Sequence, residues 1–239
     1  MVNLTTQYKK MQFAPGVIGF MLNPFYFTRK GLYKGIKNYS YLLSGKILDI
    51  GCGAKPYKDL FLYQESYTGI DIENPGHDHK NEAIDAFYNG KDIPFENEKF
   101  DSILCSEVIE HVFEPLYLLK EANRVLKPNG HLLLTCPFIW NEHEMPYDCA
   151  RYTIPGITSI MENAGFKIIQ SEKTSHFTQS ILQMKMLYIF HRFPQNKYIR
   201  IVCNLLFIFP LTLLGSIICW LLPQDKSLYL NNIILAQKL

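Results

Sequence analysis

The chain has 239 residues, of which 48% are hydrophobic and 19% charged, enough apolar length for one well-formed core and too much for a disordered polypeptide. A net charge of +2, with an isoelectric point near 8.1, is too mild to imply nucleic acid as a partner by itself. Six cysteines without a CxxC pair read as reduced residues of an intracellular protein, and the N-terminus MVNLTTQYKKMQF shows no signal-peptide pattern.

Residues 1–40 are aromatic-rich, carry Pro15, Gly16, Pro24 and the Arg29-Lys30 pair, and predict a helical or irregular cap that could serve as a lid. The pattern then changes, and residues 41–174 read as one core. KILDI from Lys46 is a short apolar run ending at a glycine loop, as a buried parallel strand does. YTGIDI (67–72) is a second strand, a third is expected near Glu82–Ile84 ahead of Asp85, FDSILCSEV (100–108) is a fourth and GHLLLTCPF (130–138) a fifth. Between the last two lies a helix with Pro115 in its first turn and Leu118, Ala122 and Val125 at helical spacing, stopped by Lys127-Pro128-Asn129-Gly130. Thr153 caps another helix over 154–164, whose inner face is Ile157, Ile160, Met161 and Ala164 and whose end is Gly165. FKIIQSE (166–172) is a sixth strand and SLYLNNIILAQKL (227–239) a seventh. Strands alternating with helices predict an α/β, doubly wound, Rossmann-like sheet.

An apolar helical insertion, 175–226, precedes the last strand. No Asp or Glu occurs between Lys173 and Gln224, and Ile201 to Leu222 is a run of 22 residues without charge. That run is long enough to cross a bilayer once, but the strands on either side belong to one sheet, so it must leave and return on the same side. With Pro210 near its middle, the expectation is an interfacial or shallow re-entrant hairpin with a basic flank toward anionic headgroups. The alternative is a helical subdomain packed on residues 1–40 or in a dimer.

ILDIGCGAKPY (47–57) carries most of the functional signal. Gly51 and Gly53 follow the first strand, where missing side chains let a ligand approach the backbone. Asp71, 20 residues beyond Gly51, closes the second strand and can accept hydrogen bonds from ribose hydroxyls. Asp49 puts negative charge beside the loop and Pro56 stands where close helix packing on a pyrophosphate site wants Gly or Ala, so a cationic, phosphate-free ligand fits better than a dinucleotide.

DIGCG, Asp71, IDAFYNGKDIPFENEKFDSILCSEVIEHV and RVLKPNGHLLLTCP together resemble a class I S-adenosylmethionine-dependent methyltransferase of the type 11-like kind. GCGAKPY with HEMPYDCARYT resembles, more narrowly, small methyltransferases of bacterial surface-polysaccharide biosynthesis. The resemblance covers 41–172 and the last strand and implies a seven-stranded sheet with that strand antiparallel. It implies S-adenosylmethionine as cofactor, with Gly51, Cys52 and Gly53 along its methionine side and Asp49 supporting the loop or the ammonium. It further implies Asp71 and Ile72 at the ribose, Asp85 and Ala86 at the adenine and Ser106 beneath the methionine moiety. Ala54 departs from the glycine often found there.

Methyl transfer from a sulfonium needs alignment, and a hydroxyl acceptor also needs a base or a metal. Glu107-x-x-Glu110-His111 and His143-Glu144-x-x-x-Asp148-x-x-Arg151 can supply these. His143 is the preferred base, with His111 second. Asp148 and Arg151 are expected to pair and shape the acceptor pocket. Glu110-His111 reads first as a structural helix-start pair. ExxEH with a later histidine resembles the metal site of small-RNA 2′-O-methyltransferases and some ubiquinone-pathway O-methyltransferases, so a divalent ion on Glu107, Glu110, His111 and His143 is possible but not favoured. His77 and His79 read as exposed. The expectation is an O-methyltransferase acting on a sugar hydroxyl of a surface glycan or lipid-linked precursor, cytoplasmic and peripheral on the inner face of a membrane, without nucleic acid as partner. The alternatives are a lipid or quinone headgroup methyltransferase and a non-catalytic cofactor-binding scaffold.

Overall fold

The computed structural model describes residue 13, residues 16–73 and residues 84–239. His77 and His79 lie outside the described residues, as do 1–12 of the N-terminal cap. The chain divides into two compact units, 35–172 with 232–239, and 1–34 with 173–231.

The first unit is built on a seven-stranded sheet. In chain order its strands are β1 (Gly45–Ile50), β2 (Gln64–Ile72), β3 (Ala86–Tyr88), β4 (Phe100–Ser106), β5 (Leu126–Pro137), β6 (Phe166–Lys173) and β7 (Asn231–Lys238). They lie side by side as β3-β2-β1-β4-β5-β7-β6, with the last strands antiparallel, as the doubly wound reading requires. Ile47, Leu48, Asp49 and Ile50 are all buried, because a central parallel strand is covered on both faces. The helix expected after β4 spans Pro115–Val125 and buries Leu118, Leu119, Ala122 and Val125; the one after β5 spans Ile154–Asn163 and is capped by Thr153, whose Oγ1 accepts from Gly156 N at 3.2 Å. They pack with Ile103, Leu134, Phe166 and Ile234 into one core.

Boundaries differ from the sequence reading: β2 begins at Gln64 rather than Tyr67, β4 ends at Ser106 rather than Val108, and β3, β5 and β7 differ too. β3 lies at Ala86–Tyr88, after Asp85, paired as Ile70 with Ala86, Asp71 with Phe87 and Ile72 with Tyr88, while Glu82 and Ala83 of the strand expected ahead of Asp85 lie outside the described residues. β5 begins at Leu126, because the partner jumps from Leu126 opposite Phe100 to His131 opposite Ser102, so Lys127–Gly130 forms an irregularity inside the strand instead of a stop. β7 starts at Asn231 rather than 227.

The second unit is helical. It contains α1 (Val17–Leu22), most of α2 (Tyr26–Tyr39), α5 (Phe177–Phe190) and α6 (Lys197–Leu221), the helices after β4 and β5 being α3 and α4. Tyr26, Phe27, Met186, Ile208 and Leu230 form its core. The buried Gln183 ties α5 to the segment before and within α2, donating to Pro24 O at 2.7 Å and accepting from Phe27 N at 3.1 Å.

The uncharged run does not fold back within itself. Lys197–Leu221 is one continuous helix of 25 residues, opened into a wider turn over Asn204–Ile208. Pro210 follows that turn, and because proline has no N–H and crowds the carbonyl four residues earlier, the helix relieves it by widening rather than by reversing. Between the two flanking strands the chain runs through α5 and then α6.

Candidate functional site

A cavity of about 1030 Å³ lies over the carboxyl ends of β1, β2, β3 and β4, where open α/β sheets take ligands. Gly51, Gly53, Asp71, Ile72, Asn89, Gly90, Glu107 and His111 are among the residues that line it.

The glycine loop is shaped by backbone demands. Gly51 has φ +68° and a Cβ there would collide with the Val108 side chain, so this glycine is needed by the fold. Gly53 has φ +44° and a Cβ there would meet nothing within 4 Å, so what it keeps open is the cavity. Asp71 Oδ2 accepts from Gly53 N at 2.8 Å and Oδ1 from Ile72 N at 2.8 Å. The two oxygens offer about four acceptor positions, leaving room for ligand hydroxyls.

Beneath the loop lies a second layer that does not line the cavity. Asp49 is buried and accepts from Tyr67 Oη at 2.7 Å; burial pushes its carboxyl up to about 7, against the pull of Tyr67 and Lys55. Cys52 is buried too, with its Sγ beside Gly69, and it is not among the residues that line the cavity. Lys55, buried at positive φ, reaches Asp85 Oδ2 at 2.5 Å, and Gly69 N donates to the same carboxylate at 2.6 Å. Burial raises the Asp85 carboxyl, but the hydrogen bonds from Gly69 and Lys55 outweigh it and hold the group below its ordinary value.

Asp85 therefore sits level with Gly69, two residues short of Asp71, and neither it nor Ala86 reaches the cavity. The wall on β3 and its exit is Phe87, Tyr88, Asn89 and Gly90. Asn89 Oδ1 accepts from Lys91 N and Asp92 N at 2.9 and 2.8 Å, fixing the turn. The sequence reading set a strand ahead of Asp85, whereas β3 follows it and carries the wall. The signal that could have corrected it is NGKDIPF (89–95), whose Asn-Gly turn marks the end of the strand.

At the other end, Ser106 Oγ bonds Thr135 Oγ1 at 2.9 Å and lies off the cavity wall. Glu107 does line it, at φ +57°, with its Oε1 accepting from Thr135 at 2.8 Å. Such backbone strain in a non-glycine residue costs about 1–2 kcal/mol and is characteristic of functional positions. Glu110 is 1% exposed, its Oε2 has no hydrogen-bond partner, and burial with the nearby Glu107 charge raises its carboxyl well above the ordinary value. Its backbone carbonyl accepts from Cys149 N and Ala150 N, as a loop-organising residue would.

The two histidines meet edge to face with ring centres 4.8 Å apart. His111, not His143, faces the cavity. His111 Nδ1 lies 3.3 Å from Tyr147 O, and since a carbonyl only accepts, the proton belongs on Nδ1 and Nε2 keeps its lone pair. Burial lowers the pKa of His111, against the Glu144 charge, which favours the neutral ring. Behind it His143 Nδ1 is 3.4 Å from Asp148 Oδ2, and Arg151 holds Asp148 through two bonds of 2.6 and 2.7 Å. The Arg151 hydrogen bonds depress Asp148 to about 2. The expected Asp148–Arg151 pair thus forms, but as a buttress for His143 outside the cavity wall. Glu110, His111 and His143 each bring a ligand atom within 4.8 Å of the others, whereas Glu107, the fourth group of the possible metal set, is turned to Thr135.

A 3-2-1-4-5-7-6 sheet with a glycine turn, an acid closing β2 and a cavity over their carboxyl ends defines a nucleoside-cofactor domain of the class I methyltransferase fold. The model of the methyltransferase-domain family matches residues 29–171, and the chain belongs to that family. Similar curated proteins include a tRNA U34 carboxymethyltransferase of Nautilia profundicola, 28% identical over 56% of this chain and 52% of its own. A ubiquinone biosynthesis O-methyltransferase of Histophilus somni is 30% identical over 39% and 45%. A phthiotriol/phenolphthiotriol dimycocerosates methyltransferase of Mycobacterium ulcerans is 33% identical over 64% and 60%. The chain spans about half the length of the first two. Among solved structures, a Haemonchus contortus phosphoethanolamine N-methyltransferase shares the fold at TM-score 0.55 and 20% identity, covering 98% of this chain and 58% of that one.

Proposed function

We propose that the protein is an S-adenosylmethionine-dependent O-methyltransferase whose acceptor is a sugar hydroxyl of a surface glycan or lipid-linked precursor, met at the cytoplasmic face of a membrane. The observation that carries the reading is the His111–His143–Asp148–Arg151 chain ending in a neutral imidazole on the cavity wall. The cofactor supplies a methyl group on a sulfonium, whose departure leaves a neutral thioether. Gly53 keeps the loop open for it, Asp71 takes the ribose hydroxyls, and Asn89 and Gly90, at the exit of β3, take the adenine edge. His111 Nε2 accepts the acceptor's hydroxyl proton as the oxygen gains the methyl, and the Asp148 carboxylate behind His143 offsets the positive charge that develops on the ring pair.

The charges on the wall favour an acceptor that is uncharged where it reacts. Of the described basic residues there, Lys91 is spent on Glu114 at 3.0 Å, and Arg151 behind the wall is spent on Asp148. A phosphate at the reacting end would find Glu107 and Glu144 instead. A second reading, methylation of a lipid or quinone headgroup, draws support from the apolar rings Phe87, Phe113 and Tyr117 that line the cavity while remaining 44–73% exposed. It also accords with the names of the quinone- and lipid-modifying relatives.

Mass spectrometry of surface glycans, lipids and quinones from a deletion strain tests this. Loss of one methyl group from a glycan species is expected. Unchanged glycans together with an undermethylated lipid or quinone would replace the first reading by the second.

A further inference from the structure

We infer that the outward face of α6 is a docking surface for an anionic lipid bilayer, on which the helix lies along the interface with its other face held by protein. This deepens the membrane setting proposed above but stands on observations in the helical unit alone.

The helix is inside out for an aqueous surface. Its buried positions are Asn204, Ile208, Thr212, Gly215 and Cys219, spaced three and four apart along one stripe. That stripe holds the polar and small residues. Asn204 Nδ2 donates to Leu22 O at 2.9 Å, Thr212 Oγ1 donates to Ile208 O at 2.9 Å, and a Cβ on Gly215 would press on Leu182 at 2.8 Å. The opposite face carries Leu206, Phe207, Leu214, Ile217 and Trp220, between 49% and 82% exposed. Only 22% of the most apolar window, of mean hydropathy 2.3, is buried. A surface helix in water has these two faces reversed, and a contiguous apolar face of this extent marks an interaction site.

Charge selects lipid as the occupant. Not one acid occurs from Lys173 to Gln224, while Lys197 and Arg200 lie in the first turn of α6, Arg192 in the connection before it and Lys185 on α5. Arg192 stacks on Tyr188 at 3.5 Å and Arg200 on Phe190 at 4.9 Å, and among the described residues neither pairs with a carboxylate. Each such cation near an anionic leaflet multiplies partitioning about fivefold. A second copy of this chain would bring the same positive sign to the contact. Crossing the bilayer would need α5 to cross back, since β6 and β7 are strands of one sheet, and its 14 residues reach only about 21 Å of a hydrocarbon core of about 30 Å.

Flotation of the full chain with phosphatidylglycerol–phosphatidylethanolamine vesicles, compared with phosphatidylcholine vesicles, decides the matter. Wild-type protein should float with the anionic vesicles, less at high salt but not fully released, because the apolar face remains. The triple variant Leu206→Asp, Phe207→Asp, Leu214→Asp should lose about tenfold or more of its bound fraction. These side chains are exposed, so the variant should keep its melting temperature and its binding of S-adenosylhomocysteine. The double variant Lys197→Glu, Arg200→Glu should lose the preference for anionic over zwitterionic vesicles. Wild-type protein staying at the bottom of the gradient overturns the proposal. So does a stable dimer that the triple variant dissociates without any flotation, which assigns the face to a second copy. Cofactor binding is read in the same samples, so a failure to float is distinguishable from a failure of the methyltransferase reading.

Discussion

Replacing Gly51 and Gly53 in turn by alanine separates what the loop does for the fold from what it does for the ligand. Both glycines sit at positive φ, +68° and +44°, where a side chain costs about 1–2 kcal/mol. At Gly51 the new methyl also collides with the half-buried Val108, and overpacking of that kind adds about 1–3 kcal/mol. At Gly53 nothing lies within 4 Å, so only the backbone cost applies. At roughly 2–4 °C per kcal/mol for a chain of this size, Gly53→Ala should lower the melting temperature by about 2–8 °C and Gly51→Ala by clearly more. Calorimetric binding of S-adenosylhomocysteine should show the reverse emphasis for Gly53→Ala: a nearly intact protein whose affinity has fallen at least about tenfold, or ~1.4 kcal/mol, because the methyl stands in the ligand's volume. Wild-type affinity in Gly53→Ala, or equal thermal losses in the two variants, would refute the assignment of these two glycines to different tasks.

Asp71→Ala should weaken the same ligand by about 10- to 100-fold, since it removes charged acceptors worth roughly 1.5–3 kcal/mol and releases Gly53 N; calorimetry with unchanged affinity would take Asp71 out of the site. Methyl transfer should persist in excess chelator, with His111→Ala abolishing it; activity that vanishes in chelator and returns with magnesium or manganese would reassign Glu110, His111 and His143 to an ion. Asp49, raised from 3.8 to about 7 in the fold, binds its proton more readily folded than unfolded. Its contribution is therefore favourable at low pH and is lost as pH rises from about 4 to 7, and urea midpoints across that window should show a smaller decline in Asp49→Asn than in wild type.

Much of this molecule was legible in the order of residues, because the relevant forces act locally. The apolar runs at 46–50 and 67–72 are strands and that at 100–108 is one as far as Ser106, Pro115 and Thr153 start helices, and Gly51, Gly53 and Asp71 do fall on one cavity, since a strand, its exit turn and its next neighbour are placed by chain connectivity. Register is not local. Whether Asp85 or Asn89 stands at the sheet edge depends on Ile70 pairing with Ala86, and a shift of a few positions along β3 moves a side chain from the ligand to Lys55. Loop orientation is no more local: the sequence placed both histidines near the reaction, but only the packing of His143 on Asp148 and Arg151 turns His111 to the cavity. The same holds for 201–222, where composition set the hydrophobicity, while the relief of Pro210 by a widened turn made one continuous helix of an expected hairpin. Composition and periodicity decide which segments leave water; which neighbour each side chain meets is decided by contacts distant in sequence, and those exist only once the chain has folded.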